Sequence, residues 1–185
     1  MSIVNLRQTL ANAAEKEYTL KKNDGSEIMA LLIRRAEKKD IPDLHRMLLC
    51  IAAFHGEARP DIFRTGAAKY TPEELAELLD DSSYCIFVAE DEGVCGYCFC
   101  ILQEVQDHLL LQNKRELYVD DLFVDADRRG NGIARALMQT AQKQAAENGC
   151  SSVTLNVWNV PHSAIPFYEK LGYTERKRYM ELKIQ

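Results

Sequence analysis

The stretch YVDDLFVDADRRGNGIARAL, Tyr118–Leu137, carries the strongest structural signal in this sequence. Its first half is predicted to belong to a strand over about Arg115–Val124, and its second half places apolar residues at helical spacing. Two glycines, Gly130 and Gly132, lie between the halves, so the pattern predicts a strand that runs through a short loop into a helix. Backbone N–H groups at a helix N-terminus, with no side chain at either glycine to block approach, form a binding site for an anion.

Two arginines, Arg128 and Arg129, precede the glycines and add charge for phosphate oxygens. The loop lacks the lysine and the spacing of a P-loop. It also differs from the GxGxxG dinucleotide fingerprint, because Arg135 occupies the position of the third glycine. The residues alone therefore predict a phosphate or pyrophosphate ligand, with a plain tight turn as the alternative.

Strands and helices alternate on both sides of this stretch, which predicts a mixed α/β sheet with one strand–helix–strand crossover. A hairpin turn at Asp91-Glu92-Gly93 makes the first half antiparallel. Helices are predicted to begin at a cap on Asp40, at the capping box of Thr71, near Asn131 and near Ser163. The predicted strands are Leu31–Ile33, Tyr84–Glu90, Val94–Val105, Arg115–Val124, Ser152–Trp158 and one or two strands within Tyr173–Ile184.

The N-terminal segment has a different pattern from the rest. Apolar residues between Ser2 and Lys22 recur at helical spacing, and the turn residues Asn23–Ser26 follow them. We therefore expect residues 1–28 to form a helical appendage and residues 29–185 to form one domain.

Composition excludes several classes of protein. The chain has 185 residues, and its 23 basic against 28 acidic residues give a net charge of −5, which disfavours nucleic-acid or anionic-membrane partners. Its longest apolar stretch, Met47–Phe54, is too short to span a bilayer, and the first residues do not resemble a signal peptide. We therefore expect a cytoplasmic protein with six reduced cysteines, no metal site and no covalent acyl-cysteine intermediate.

Two motifs resemble a known family. RGNGIA, Arg129–Ala134, matches the R/Q-x-x-G-x-G/A signature of the GNAT superfamily of N-acetyltransferases, and AIPFYEKLGY, Ala164–Tyr173, resembles its A-I-x-F-Y-E-K-L-G-F/Y element. The resemblance is specific over Asp120–Tyr173 and extends in architecture over Leu31–Ile184. It implies an α/β (α+β) GNAT fold, in which a mixed, mostly antiparallel sheet with a splayed central strand pair is flanked by helices.

The resemblance implies acetyl-CoA as co-substrate and no metal. The pyrophosphate would lie on the amides of the glycine loop, and the pantetheine arm would bond the splayed strand as an added strand does. An asparagine would contact the cofactor from the strand that follows, although here it lies two residues farther upstream than is usual. The residues implied for the cofactor are Leu122, Phe123, Val124, Arg129, Gly130, Asn131, Gly132, Ile133, Ala134, Arg135 and Asn159.

The resemblance also implies the catalytic groups. Tyr168 would donate a proton to the departing thiolate, and a backbone N–H near Leu122 or Phe123 would stabilise the oxyanion. A carboxylate on the central strand would serve as the base, and the candidates are Glu116, Asp120 and Asp121. Alternation of side chains predicts that only one of Asp120 and Asp121 faces the cleft, unless a bulge intervenes. A carboxylate that only solvates the strand end is the alternative for each.

The loops 55–70 and 106–114 are expected to form the acceptor pocket. Charged and aromatic residues in the first loop fit a zwitterionic or carboxylate-bearing amine, or else a solvated surface loop. We therefore predict an N-acetyltransferase that acts on a primary amine of a small molecule or peptide by direct attack in a ternary complex. Transfer of another acyl group and a catalytically weak acyl-CoA-binding sensor are the alternatives. A homodimer through the N-terminal helix or the C-terminal strands is also expected.

Overall fold

The computed structural model describes residues 15–21 and 28–184. A six-stranded sheet has the order β1-β2-β3-β4-β5-β6, and every neighbouring pair is antiparallel except β5 and β6, which are parallel. The strands are β1 Lys16–Lys21, β2 Ile28–Arg35, β3 Tyr84–Glu90, β4 Val94–Val105, β5 Lys114–Val124 and β6 Ser152–Leu155. The helices are α1 Ile41–Ala58, α2 Pro72–Asp80, α3 Ile133–Glu147 and α4 Ile165–Lys170.

Both faces of the sheet are covered by helices. On one face Leu31, Phe87 and Leu117 pack with Leu137 and its neighbours in α3. On the other face Leu44 and Leu48 of α1 and Leu75 of α2 pack with Tyr97, Phe99 and Phe123 of the sheet. Because β3 and β4 are buried on both faces, their sequences read as nearly continuous apolar runs. This architecture confirms the predicted fold class.

The prediction of a helix over Ser2–Lys22 is wrong for its last part, because Lys16–Lys21 forms β1. Residues 1–14 lie outside the described residues. The Tyr18 hydroxyl lies 3.0 Å from Thr140 Oγ1 in α3, so β1 gains contacts that a local helical periodicity does not anticipate. The sheet therefore includes residues on both sides of the predicted boundary between residues 28 and 29.

The prediction of strands within Tyr173–Ile184 is also wrong, since these residues form no strand. Three ion pairs hold the segment instead: Arg176 with Glu116 at 2.7 Å, Glu181 with Arg59 at 3.0 Å and Lys183 with Asp61 at 2.8 Å. Met180, Leu182 and Ile184 alternate as strand residues do, yet 84–87% of each is exposed. The alternation correctly describes an extended chain, but no backbone ladder accompanies it.

Asp40 stands at the N-cap position of α1, as predicted, but its carboxylate does not cap the helix. It accepts hydrogen bonds from the buried Arg34 guanidinium at 2.7 and 2.8 Å and from the Glu37 amide at 2.8 Å. Burial opposes ionisation of Asp40, but the hydrogen bonds from Arg34 and the Glu37 amide, together with the Arg34 and Lys39 charges, outweigh it, and the pKa of Asp40 falls below its ordinary value. The pair anchors the start of α1 to β2.

Within residues 15–21 and 28–184, no helix combines the length and the apolar character needed to cross a membrane. In the same part of the chain, no group of three or more His, Cys, Asp or Glu side chains is arranged to hold a metal ion.

Candidate active site

The central feature of the site is a free edge on β5. Pairing with β6 begins at Glu116 and ends where Val119 lies opposite Leu155, although β5 continues to Val124. β6 was predicted to reach Trp158, but it ends three residues earlier. No strand pairs with Asp120–Val124 on this side among the described residues, and β5 and β6 are the splayed strand pair.

The glycine loop forms a pocket beside the end of β5. Gly130 and Gly132 have φ values of 81° and 84°, which residues other than glycine rarely adopt. α3 begins at Ile133, so the amides of its first turn have no partner within the helix. The pocket measures about 270 Å³ and is lined by Val124, Arg128, Arg129, Gly130, Gly132, Ile133, Ala134, Arg135 and Phe167.

Both arginines before the glycines line the pocket, and each also has a partner within the protein. Arg128 forms an ion pair with Asp91 at 2.8 Å, so its charge is largely balanced. Arg129 donates from Nε to the Val124 carbonyl at 2.9 Å, and its guanidinium lies 5.6 Å from the centre of the Phe123 ring. Arg129 therefore fixes the loop to the end of β5 while it lines the pocket.

The other residues implied for the cofactor lie outside this pocket. Leu122 and Phe123 belong to β5, and Phe123 packs into the core on the side of α1 and α2. The Asn131 side chain donates to the Arg128 carbonyl at 3.4 Å within the loop. Asn159 is exposed in the loop after β6, and the structure does not bring it to the pocket.

A bulge in β5 brings two acids together. Phe99 of β4 lies opposite Asp121, but the next residue, Cys100, lies opposite Val119, so Asp120 is an extra residue in β5. A bulge turns both of its residues toward one face, where regular alternation would separate them. The Asp120 carboxylate accepts from Lys69 Nζ at 2.7 Å and from the Tyr70 hydroxyl at 3.0 Å on the side of α1 and α2.

Asp121 has the electrostatic character of a base. Burial raises the pKa of Asp121 to about 6, the Lys69 charge lowers it, and the Asp120 charge raises it. The Tyr97 hydroxyl approaches Asp121, but its geometry falls short of a hydrogen bond. Unlike Asp120, Asp121 has no direct ion pair with a lysine or arginine among the described residues. Its pKa of about 6 is closer to neutral pH than that of an ordinary aspartate.

Glu116, the third predicted candidate, lies elsewhere. Its carboxylate accepts from Lys114 at 2.6 Å, from Ser152 at 2.8 Å and from Arg176 at 2.7 Å. Burial opposes ionisation, but these hydrogen bonds outweigh it and lower the pKa of Glu116. Glu116 lies four positions before Asp120 in β5, which is roughly 13 Å along the strand. The structure does not bring Glu116 to the other two acids.

Tyr168 lies on α4, on the opposite side of the sheet from Lys69. Burial raises the pKa of Tyr168 above its ordinary value, and the charge of Asp121 acts in the same direction. Its ring contacts that of Tyr173 with the centres 5.8 Å apart, and its hydroxyl makes no hydrogen bond to another described residue. The structure therefore brings Tyr168 within electrostatic range of Asp121.

Sequence reasoning missed several residues of this site. Lys69 and Tyr70 stood in the loop assigned to the acceptor, but nothing in the sequence paired them with Asp120, 51 and 50 residues away. His55 was assigned no role, and burial followed by the charge of Lys69 lowers its pKa. The one available signal was the position of Lys69 and Tyr70 directly before the capping box at Thr71, which fixes where the loop ends.

A sequence profile of the acetyltransferase (GNAT) family matches residues 51–173. The chain belongs to this family. It is similar to human N-acetyltransferase 8B, with 35% identity over 96 residues, which are 51% of this chain and 40% of that protein. It is also 28% identical to the uncharacterized N-acetyltransferase MJ1207 of Methanocaldococcus jannaschii, over 90% of this chain and 67% of that protein. The chain thus spans about two fifths of the first relative and two thirds of the second.

Solved structures share the fold of this GNAT chain. A tetramutant of the BH1408 protein from Bacillus halodurans superposes with a TM-score of 0.79 at 26% identity, over 82% of this chain and 99% of that one. An aminoglycoside acetyltransferase from an uncultured soil metagenomic sample superposes with a TM-score of 0.64 at 21% identity. The second likeness concerns the fold alone.

The pKa of Asp121 predicts a stability effect with a definite sign. Its pKa of about 6 in the folded protein exceeds the ordinary 3.8, so the folded state binds this proton more tightly and stability falls as pH rises from about 4 to 6. Asp121→Asn removes this cost. We expect the variant to gain up to about 3 kcal/mol in unfolding free energy at pH 8 and almost nothing at pH 4.

Urea unfolding at the two pH values measures this effect, with Asp127→Asn as the matched control because the Asp127 side chain is 81% exposed. An equal effect of Asp121→Asn at pH 4 and pH 8 would contradict the assignment.

Proposed function

We propose that this chain transfers the acetyl group of acetyl-CoA to a primary amine of a small molecule or peptide, by direct attack in a ternary complex. The observation that carries the proposal is the free edge of β5, which runs from the paired acids Asp120 and Asp121 to the glycine-loop pocket. A strand edge, an anion-binding helix start and a carboxylate of raised pKa thus adjoin one another.

The residues present fit the cofactor. The left-handed glycines leave the amides around Gly130–Arg135 open for a pyrophosphate, and Arg129 and Arg135 line the same pocket. No strand pairs with the backbone of Leu122 and Phe123 on this side, so it can bond an extended amide-bearing arm as a sheet edge bonds an added strand. When bound, acetyl-CoA would supply an acetyl group activated as a thioester.

Asp121 is the base in this proposal. A primary amine has a pKa of about 10 and arrives protonated at neutral pH, so a group in the cleft must accept its proton. Asp121 is ionised at pH 7 because its pKa is about 6, and it lacks the ion pair that holds Asp120. Desolvation in the cleft disfavours the ammonium form and so lowers the pKa of the amine, which brings it closer to the pKa of Asp121.

The Tyr168 hydroxyl carries the proton that the leaving thiolate would accept. Its raised pKa keeps the hydroxyl protonated throughout the neutral range, and no described residue accepts that proton. The hydroxyl can therefore donate to a leaving thiolate on the α4 side of the free edge. A thiolate in the same desolvated surroundings is also a stronger base than in water, so the transfer remains favourable.

The assignment of the base predicts a pH profile. The ratio kcat/KM should fall about tenfold per pH unit below about pH 6, because protonated Asp121 cannot accept a proton. Lys69→Met should move this limb to higher pH, because the Lys69 charge lowers the pKa of Asp121. Lys143→Met is the control, since Lys143 pairs with Glu147 on the surface of α3. A limb that stays in place in Lys69→Met would contradict the role of Asp121.

Binding of acetyl-CoA tests the proposal at the glycine loop. Calorimetric titration of the full chain should show micromolar binding, and Gly132→Val should weaken it more than tenfold by straining and filling the loop. Gly149→Val is the matched control, because Gly149 is also left-handed, with φ +67°, but lies at the other end of α3. Equal affinities in the two variants, or no binding by the unmodified chain, would overturn the proposal.

A further inference from the structure

Four rings form a continuous cluster, which we call the aromatic wall: Phe54, His55, Phe63 and Trp158. The ring centres of Phe54 and His55 are 5.6 Å apart, those of His55 and Phe63 5.0 Å, and those of Phe63 and Trp158 5.2 Å. The wall joins the end of α1 to the loop after β6. Phe54 is 43% exposed and Trp158 40% exposed, and the Arg59 guanidinium lies 5.9 Å from the centre of the Trp158 ring, so part of the ring surface remains open for contact.

Lys69 links the aromatic wall to the acids. It forms the ion pair with Asp120 at 2.7 Å, and its charge acts on both His55 and Asp121. Burial and this charge lower the pKa of His55, so its ring is neutral at pH 7 and belongs to the apolar surface. The aromatic wall and the two acids therefore both lie within range of the Lys69 charge.

The charges around the wall are mostly committed to one another. Arg59 pairs with Asp61 at 2.8 Å and with Glu181 at 3.0 Å, and Lys183 also pairs with Asp61. Asp120 is neutralised by Lys69. Of the two acids, only Asp120 forms an ion pair with a described residue. The Asp121 carboxylate can therefore form an ion pair with one ammonium group of a substrate. Arg64, beside Phe63, is exposed to solvent.

We propose that the acceptor is a primary monoamine that carries an aromatic ring and no anionic group. This inference rests on the proposed acetyl transfer and names its substrate class. The ring stacks on Phe63 and Trp158, and the ammonium lies at Asp121. Lys69 determines the charge selectivity, because it keeps Asp120 from attracting a second ammonium. Arg59, one of the cations behind the earlier expectation of a carboxylate-bearing amine, is already paired with Asp61 and Glu181.

Trp158 is the only tryptophan in the chain, so its fluorescence reports on the aromatic wall directly. The full chain is titrated with 2-phenylethylamine, with and without saturating CoA. Three matched probes change one property each: 2-cyclohexylethylamine removes aromaticity, phenylalanine adds a carboxylate, and 1,4-diaminobutane replaces the ring with a second amine. We expect saturable binding of 2-phenylethylamine, at least threefold tighter than the first probe and tenfold tighter than the other two.

Variants separate the two ends of the site. Phe63→Leu should weaken 2-phenylethylamine about threefold to tenfold and leave 2-cyclohexylethylamine nearly unchanged. Lys69→Met should improve 1,4-diaminobutane at least fivefold, because Asp120 is released. Tyr179→Leu is the control, since Tyr179 is 98% exposed on the C-terminal segment and should change none of these affinities.

The inference and the proposed function fail in distinguishable ways. Binding of 2-phenylethylamine to a chain that does not bind acetyl-CoA would overturn acetyl transfer and leave the amine site standing. Absence of a saturable fluorescence change with and without CoA, or equal affinity for phenylalanine or 1,4-diaminobutane, would overturn the substrate class even if acetyl-CoA binds.

Discussion

One extra residue in β5 organises the whole site. The bulge at Asp120 interrupts the ladder with β4, so that Asp120 and Asp121 reach the same side of the sheet. Pairing with β6 stops at the residue before it, Val119. A bulge bends its strand and increases its twist. This bend therefore accounts for both the paired acids and the free edge on which the proposed cofactor site depends.

The two acids then acquire different properties from their surroundings. The Asp120 carboxylate accepts hydrogen bonds from Lys69 and Tyr70. Asp121 is instead buried beside the negative charge of Asp120. Separation of two adjacent carboxylates into a neutralised one and a titratable one is a common way to build a base. Burial of the Asp121 carboxylate lowers the folding stability. Other parts of the protein offset this loss, including the buried Arg34–Asp40 ion pair and the two covered faces of the sheet.

Much of the fold could be predicted because its signals are local. The strand–loop–helix of Tyr118–Leu137, the capping box at Thr71 and the hairpin at Asp91–Gly93 each lie within a few residues. The errors involved distant contacts. Lys16–Lys21 is a strand because it pairs with β2 and contacts α3, and Tyr173–Ile184 lacks a ladder although its alternation is typical of one. The bulge and the Lys69–Asp120 ion pair have no local signal either.

The proposed acetyl transfer requires acetyl-CoA to bind at the free edge of β5. Amide hydrogen exchange of the full chain, with and without acetyl-CoA, tests this most directly. We expect acetyl-CoA to slow amide exchange in two separate segments at once, Asp121–Val124 on β5 and Gly130–Arg135 at the start of α3. Protection of the glycine loop with unchanged exchange in Asp121–Val124, or protection in neither segment, would contradict it.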